Sequence, residues 1–410
     1  MISVDEALEK VLEAAAARGA LPTERVGLRE AAGRILRETV TADRDFPPFT
    51  RSAMDGYALR AADTAAAPVT LAVIEEIPAG VAPRLGVGPG QASRIMTGAP
   101  IPEGADAVQM VERTETLEGA RVRVLAAVAP GEHVRRAGED LKRGSLLLAD
   151  GALLGAVQIG LMASAGLARV AVSVRPRVAI IPTGDELVGV EEEPGASQIR
   201  ESNGHTLEVL VRRAGGEPRL HDVAPDDLDE LKRRIGGALG ECDVLLLSGG
   251  VSMGDYDLVG RALAELGCDP AFDRVAIQPG KPLTFGRAGA RGEILVFGLP
   301  GNPVSTVVDF LVFARPALRR VMESAAWIDA TVEARLLDPI RRRPGRRAYL
   351  PATLLQEGGE PALRLIPSKG SADMVAMSRA DALAVIPETA EELRPGVRVR
   401  ALPLAGLVVP

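Results

Sequence analysis

The sequence predicts an α/β multidomain protein: a central, doubly wound, mostly parallel α/β domain with an N-terminal domain, an inserted β module and a C-terminal β domain. Three observations carry this. At 410 residues the chain exceeds what one ordinary hydrophobic core serves. Strand-like and helix-like apolar patterns alternate from 177 to 322, as in a parallel sheet covered on both faces. From 69 to 128, and again beyond Trp327, the patterns are β only, with short runs between Gly and Pro turns. The implied division is 1–46 with 143–174, then 47–142, 175–326 and 327–410.

Ser3 and Glu6 are spaced as a capping box, and Val4, Leu8, Val11, Leu12 and Ala15 form one apolar stripe, so the chain opens on a helix. Residues 21–44 read as a short strand, a short helix and an extended piece, interrupted by Pro47 and Pro48. In the inserted module, strands are expected at 69–77, 107–115 and 121–127. The apolar run 151–174 holds Gln158, Arg169 and several glycines. A membrane-spanning helix needs about twenty residues without such breaks. The run therefore reads as a helix ending at Gly166 and a strand over 168–174.

Arg175, Pro176 and Arg177 mark the next boundary. A strand at 178–182 precedes a helix with Leu207, Leu210, Val211 and Ala214 on one face. A strand at 219–223 follows, then a helix with Leu228, Leu231, Ile235 and Leu239, capped by Asp226. Next come a buried strand at 243–247 and a helix with Val259, Ala262, Leu263 and Leu266. Strands at 275–277 and 294–297 lead to a helix opening near Pro303, where proline suits the first turn.

Composition narrows the function. A net charge of −7 and 3% aromatics disfavour a nucleic-acid binder, which would carry a basic surplus or stacking platforms. Cys242 and Cys268 are too few for a disulfide framework and form no CxxC pair; both read as packed apolar residues. His133, His205 and His221 stand singly, away from metal-ligand spacing. No targeting or membrane segment is recognised, so a cytoplasmic location is expected.

In an open parallel sheet, ligands bind beyond the carboxyl ends of the strands. Three unusual segments lie at such ends: Pro182 to Leu187, Ser248 to Asp257, and Leu299 to Ser305, the last opening a helix. Glycines let backbone N–H groups approach a phosphate, and a helix N-terminus favours an anion. One such turn alone is commonly structural; three at one sheet edge point to a site for a phosphate-bearing small molecule. GxxxxGK[ST] is absent, which excludes a P-loop.

Glu186, Asp255 and Asp257 are acidic groups beside this anion site, a combination that calls for a cation; Mg²⁺ takes oxygen ligands of this kind. Asp255 reads equally as a helix cap. Lys281, in Gln278-Pro279-Gly280-Lys281-Pro282, sits on a stiff turn and suits an oxyanion, or is a solvated loop lysine. Ser52 to Ala58, after Phe46-Pro47-Pro48-Phe49, and Arg135 to Asp140 would each, taken singly, be surface turns. The basic run Arg341 to Arg347 reads as a solvated rim or hairpin, although the planar fork of arginine also suits a tetrahedral oxyanion.

Together these segments resemble the molybdopterin molybdenumtransferase family, the bacterial MoeA proteins and the E domain of gephyrin and its plant counterparts. The resemblance covers essentially the whole chain. It rests on 46–58, Gly138-Glu139-Asp140, Thr183 to Leu187, Ser248 to Asp257, Pro279 to Pro282 and Pro300 to Ser305. It implies an α/β domain of the molybdopterin-binding type and an elongated N-terminal domain. The implied reaction inserts molybdate into adenylated molybdopterin, with Mg²⁺-dependent release of AMP.

By position the resemblance assigns Asp55, Asp140, Glu186 and Asp257 as catalytic carboxylates, with Glu186, Asp255 and Asp257 toward Mg²⁺. Thr97, Arg135, Thr183, Gly184, Ser248, Gly249, Gly250, Ser252, Pro300, Gly301 and Asn302 become binding residues. Lys281, Ser305, Arg346 and Ser371 match a molybdate pocket, with the choice between Arg346 and Arg347 open. Gln278 stands where many members carry a lysine, with Lys281 or Arg274 to compensate. The resemblance also implies a homodimer whose site lies between the α/β domain of one subunit and the inserted module of the other, and a contact with the molybdopterin adenylyltransferase. The alternatives are an adenylyltransferase and a non-catalytic scaffold of the gephyrin type. Molybdate and tungstate are not distinguished, since both are tetrahedral and similar in size.

Overall fold

Strands too apolar to expose either face dictate the centre of the fold. Arg177–Pro182, Val244–Ser248 and Ile294–Leu299 carry side chains that alternate between two buried clusters. Val178, Ile180, Val244, Leu246, Leu295 and Phe297 enter one cluster; Ala179, Ile181, Leu245, Leu247 and Val296 enter the other. A period of two with both phases apolar is the signature of a sheet covered on both sides. The computed structural model describes residues 1–250 and 258–404 and divides the chain into two compact units.

The first unit comprises Met1–Glu38, Asp150–Gly155 and Arg169–Pro410. Its central sheet has six strands in the order Glu217–Leu220, Arg177–Pro182, Val244–Ser248, Ile294–Leu299, Thr284–Ala288 and Asp269–Phe272. The first four run parallel and the last two are antiparallel. Helices Asn203–Arg213 and Pro303–Asp309 bury residues in the cluster on one face, and Leu228–Leu239 and Leu258–Glu265 in the cluster on the other. The doubly wound expectation therefore holds, with an antiparallel edge added.

Several details correct the sequence reading. The Leu228–Leu239 helix is capped by Asp227, whose Oδ1 accepts from Glu230 N at 2.9 Å, not by Asp226. The strand expected at 219–223 is Glu217–Leu220. On the Val4–Arg18 helix the buried line is Val4, Ala7, Val11 and Ala15, while Leu8 and Leu12 stay half-buried. Ser3 does cap this helix by accepting from Glu6 N. The helix packs into the α/β core, whereas the sequence reading groups residues 1–46 with 143–174. The strand pair Thr23–Gly27 and Arg169–Ser173 joins the two ends of that grouping.

The C-terminal part of this unit is a closed ring of strands. Arg347–Glu357 pairs with Glu360–Leu365, which pairs with Val332–Leu336, then Arg398–Pro403, then Ala382–Ile386, which returns to Arg347–Glu357. Closure leaves no free edge within the ring. A short helix, Met374–Ser378, was not foreseen.

The second unit, Thr39–Ala149 with Ala156–Ala168, carries a six-stranded β sheet. Its order is Ala107–Met110, Gly56–Leu59, Gln91–Ile95, Val69–Ile77, Arg121–Val124 and Thr114–Leu117. The strand at Val69–Ile77 matches the sequence reading. The one expected at 107–115 is broken by a 3₁₀ turn at Val111–Arg113, and that at 121–127 ends at Val124. The Ala156–Ser164 helix also belongs to this unit. Among the described residues, no helix is long and apolar enough to cross a membrane.

Asp309, the last residue of the Pro303–Asp309 helix, is fully buried and neither carboxyl oxygen has a hydrogen-bond partner among the described residues. Burial pushes its carboxyl well above the usual carboxylate range, so the folded protein holds it neutral. Below about pH 4, where a free aspartate is protonated, folded and unfolded chains bind this proton alike. Above that, only the unfolded chain releases it, and Asp309 costs stability as pH rises toward its folded pKa. Asp309→Asn should therefore gain stability relative to the parent as pH rises above about 4, read as a rising difference in urea midpoints. A difference independent of pH would contradict a neutral buried acid.

Candidate active site

The three turns marked by the sequence meet because their strands end level with one another. Pro182 is the register partner of Ser248, and Ser248 of Leu299. Thr183 N then donates to Ser248 O at 2.8 Å, and Gly249 N to Leu299 O at 3.1 Å. Gly249 has φ +100°, and a Cβ there would lie 2.3 Å from the carbonyl oxygen of Thr183, so only glycine lets the two turns touch. Around them lies a cavity of about 540 Å³ lined by Thr183, Glu186, Ser248, Gly249, Gly250, Pro300, Gly301 and Asn302. The buried Thr183 Oγ1 has no partner among the described residues. Gly184 is not on this wall; it leaves room for the Glu186 carboxylate, which a Cβ would approach to 2.3 Å.

Sequence reasoning missed Asn203. Its Nδ2 donates to Ser248 Oγ and to Gly301 O, both at 2.8 Å, and so clasps two of the three turns. Arg200 also lines the cavity, and its Nε donates to Glu192 O at 3.0 Å. The available signal was the polar run Arg200 to Asn203 at the start of a helix, to which the sequence reading assigned no role.

A second cavity of about 410 Å³ adjoins the first, with Pro282 and Asn302 lining both. It gathers Gln278, Lys281, Ser305, Arg346, Tyr349 and Ser371. Ser371 is held by its carbonyl, which accepts from Val304 N at 3.0 Å. Arg347 is turned away: its guanidinium binds Asp5 at 2.6 and 2.7 Å and Glu388 at 3.1 Å. Arg346 is thus the arginine on the cavity wall. Arg274 is not a lining residue, and its side chain lies 3.5 Å from Asp273. Tyr349 is buried, which pushes its phenol up to about 12 and keeps it neutral.

In the second unit, Asp55 Oδ1 accepts from Thr97 N at 2.6 Å and from Thr97 Oγ1 at 2.7 Å. The backbone N–H first, and then the hydroxyl, hold the Asp55 carboxyl below its ordinary value. Arg135 bridges Asp140 and lies 3.4 Å from Glu139. Both sequence-marked segments of this unit therefore carry exposed carboxylates that have hydrogen-bond or ion-pair partners.

Ser252, Asp255 and Asp257 lie outside the described residues. Among the described residues, no group of three His, Cys, Asp or Glu could hold a metal ion. Cys242 and Cys268 are buried, and burial pushes both thiols up to about 11, in keeping with packed, inert side chains.

Three family models match consecutive parts of the chain: the MoeA N-terminal region (domain I and II) over 2–166, a probable molybdopterin binding domain over 179–320, and the MoeA C-terminal region (domain IV) over 333–404. A molybdopterin molybdenumtransferase of Nostoc sp. is 39% identical, covering 89% of this chain and 85% of the relative. Molybdopterin molybdenumtransferase 1 of Mycobacterium tuberculosis is 35% identical over 97% of both chains. The crystal structure of a molybdopterin biosynthesis MoeA protein from Pyrococcus horikoshii superposes with a TM-score of 0.79 at 34% identity, covering 98% of this chain and 99% of the other. The chain belongs to the molybdopterin molybdenumtransferase family.

Within that family framework, all three turns and the Gln278 to Lys281 segment fall in the stretch matched by the molybdopterin binding domain. Arg346 and Ser371 fall in the C-terminal region. Asp55, Thr97, Arg135 and Asp140 fall in the N-terminal region.

The glycines of the turns are not equivalent. Gly301 has no left-handed φ, and the nearest atom to a Cβ there is 3.6 Å away, an ordinary contact. Gly249→Ala should cost about 1–3 kcal/mol through backbone strain and the clash with Thr183. Gly301→Ala should stay within about 0.5 kcal/mol of the parent. Urea unfolding of the two variants checks this, and equal losses would contradict the close approach at Gly249.

Proposed function

We propose that this transferase inserts molybdate into adenylated molybdopterin, releasing AMP and completing the molybdenum cofactor. The observation that carries the reading is the pair of adjoining cavities. One is walled by three backbone-rich turns, and the other presents Lys281, Arg346, Ser305 and Ser371. The first suits a phosphate-bearing ligand, and the second a tetrahedral oxyanion. Their shared walls at Pro282 and Asn302 would set the oxyanion beside the bound pterin, which lowers the entropic cost of the transfer.

The residues divide the work by chemistry. The Thr183 hydroxyl and the backbone N–H groups at Gly250 and Gly301 bind phosphate. Lys281 and Arg346 neutralise the oxyanion, and Ser305 and Ser371 orient it. Asp55, held ionised by Thr97, offers an acceptor rather than an acid. Asp140, paired with Arg135, is the second catalytic carboxylate of that unit. Glu186 is a hard oxygen donor on the cavity wall, and with Asp255 and Asp257 it would hold Mg²⁺. Bound there, Mg²⁺ supplies neutralisation of the phosphate charge at the leaving adenylate.

The test is incubation with adenylated molybdopterin and molybdate, following AMP and cofactor together. Asp257→Ala and Asp55→Ala should each remain folded and release AMP at least about tenfold more slowly. A chelator should slow the parent comparably. AMP release at the parental rate in either variant removes that carboxylate from the reaction, and full activity in chelator removes the cation. ATP consumption with unmodified molybdopterin would favour an adenylyltransferase instead.

A cytoplasmic homodimer that contacts the molybdopterin adenylyltransferase belongs to the same reading. Static light scattering should give twice the 42.9 kDa chain mass, and a monomer mass would remove the dimer.

A further inference from the structure

We propose that Arg342 is a positioning residue of the oxyanion cavity: it turns the Gln278 carboxamide so that its N–H donors face the cavity, and it lends that wall positive charge from behind. The inference rests on the reading of this cavity as an oxyanion site.

The geometry begins with Arg342 itself. It is half-buried and does not line the cavity. One terminal nitrogen donates to Gln278 Oε1 at 3.2 Å and also to the backbone oxygen of Arg346. The other donates to Pro387 O at 3.1 Å. The guanidinium is therefore anchored to three separate stretches of chain, and its planar fork has little freedom left.

The orientation of Gln278 follows from donor and acceptor counting. A guanidinium carries only donors, whereas a carboxamide carries one oxygen acceptor and one NH₂ donor group. Reversing the amide would set N–H against N–H beside a positive charge. The oxygen must face Arg342, and the NH₂ group is left for the cavity that Gln278 lines. The backbone of Gln278 is fixed as well, because Ile277–Gln278 pairs with Arg347–Ala348 and Arg347 N donates to Ala276 O at 2.8 Å. A neutral donor is thus held in place before any ligand arrives, which is the arrangement that costs least on binding.

Charge acts in the same direction. Arg347 takes both nearby carboxylates, Asp5 and Glu388. Among the described residues Arg342 has no carboxylate within ion-pair distance. Burial, then the like charge of Arg346, lowers the Arg342 pKa. Arg346 and Lys281 on the cavity lining, with the Arg342 charge beside Arg346, are relieved by an entering dianion.

The experiment titrates the full-length protein with tungstate, a tetrahedral dianion, by calorimetry at neutral pH without Mg²⁺. Gln278→Met and Arg342→Met should each weaken tungstate about tenfold, the worth of one hydrogen bond to a charged group. The double variant should bind no more weakly than Arg342→Met alone, because an unlocked Gln278 has nothing left to lose. Gln278→Glu should lose more than Gln278→Met, since a carboxylate offers the cavity an acceptor; this variant keeps Arg342 and tests the inference even if Arg342→Met fails to fold. In turnover, the Arg342 change should raise the KM for molybdate with kcat retained, a split that general loosening would not produce.

Lys281→Ala separates the two levels of the argument. If the parent binds no tungstate, or Lys281→Ala binds as the parent does, the oxyanion reading fails and this inference with it. If Lys281→Ala weakens binding but Arg342→Met stays within twofold, only the positioning role is overturned. Losses that multiply in the double variant, or Gln278→Glu binding as well as Gln278→Met, overturn the amide orientation.

Discussion

Pro182, Ser248 and Leu299 end their strands at one level, and the first unit's chemistry depends on that register. Neighbouring parallel strands lie about 4.8 Å apart, so three turns must leave the sheet within about 10 Å of one another. Their backbones satisfy each other: Thr183 N reaches Ser248 O, and Gly249 N reaches Leu299 O. A side chain at Gly249 would strike Thr183 O, so the packing of backbone on backbone excludes anything larger than glycine. Asn203 then closes the arrangement by bonding to both Ser248 and Gly301. What remains beyond the strand ends is a cavity lined in part by Gly249, Gly250 and Gly301, where backbone can approach a ligand recognised through phosphate oxygens.

The same register carries over to the second cavity. Leu299 ends its strand, Pro300 to Asn302 turn, and Pro303 starts a helix whose first turn holds Ser305. That helix is buried from Val304 to Asp309, so Ser305 has no freedom to drift. The segment after the strand Glu360–Leu365 is tied to this helix through Val304 N and Ser371 O, and the C-terminal ring is tied to the Gln278 segment through Arg347. A site assembled from segments far apart in sequence becomes rigid because each segment is anchored to a sheet rather than to a free loop.

How much of this the sequence discloses depends on the range of the interaction. The apolar runs at Val244–Ser248 and Ile294–Leu299 and the glycine turns that follow them are local patterns, and the structure places the two strands, and the second turn as far as Gly250, as expected. The antiparallel edge was illegible for a local reason: Asp269–Phe272 contains a proline and Thr284–Ala288 a glycine and an arginine, so neither has strand-like composition. Leu8 and Leu12 stay half-buried where Ala7 is buried because close packing of the helix favours the smaller side chain, a tertiary choice that periodicity does not encode. Asn203 was missed because its partners are 45 and 98 residues away. Asp227 displaced Asp226 as cap by one residue, the scale on which helix ends are set by geometry rather than by residue type.

The basic run 341–347 shows why partners decide more than charge. Read as sequence it is five arginines about a Pro-Gly turn, alike in every respect that composition measures. In the fold they diverge. Arg341 lies 3.8 Å from Glu392 at the surface, where such pairs contribute little. Arg347 is neutralised twice over, by Asp5 and Glu388. Arg346 faces the cavity, and Arg342 spends its donors on carbonyl oxygens. A nucleic-acid surface would need these charges spread along one exposed stripe. Instead Asp5 and Glu388 pair with Arg347, while Arg346 on the concave wall has no ion pair among the described residues, so a chain with a net charge of −7 still presents a local positive field where a small dianion fits.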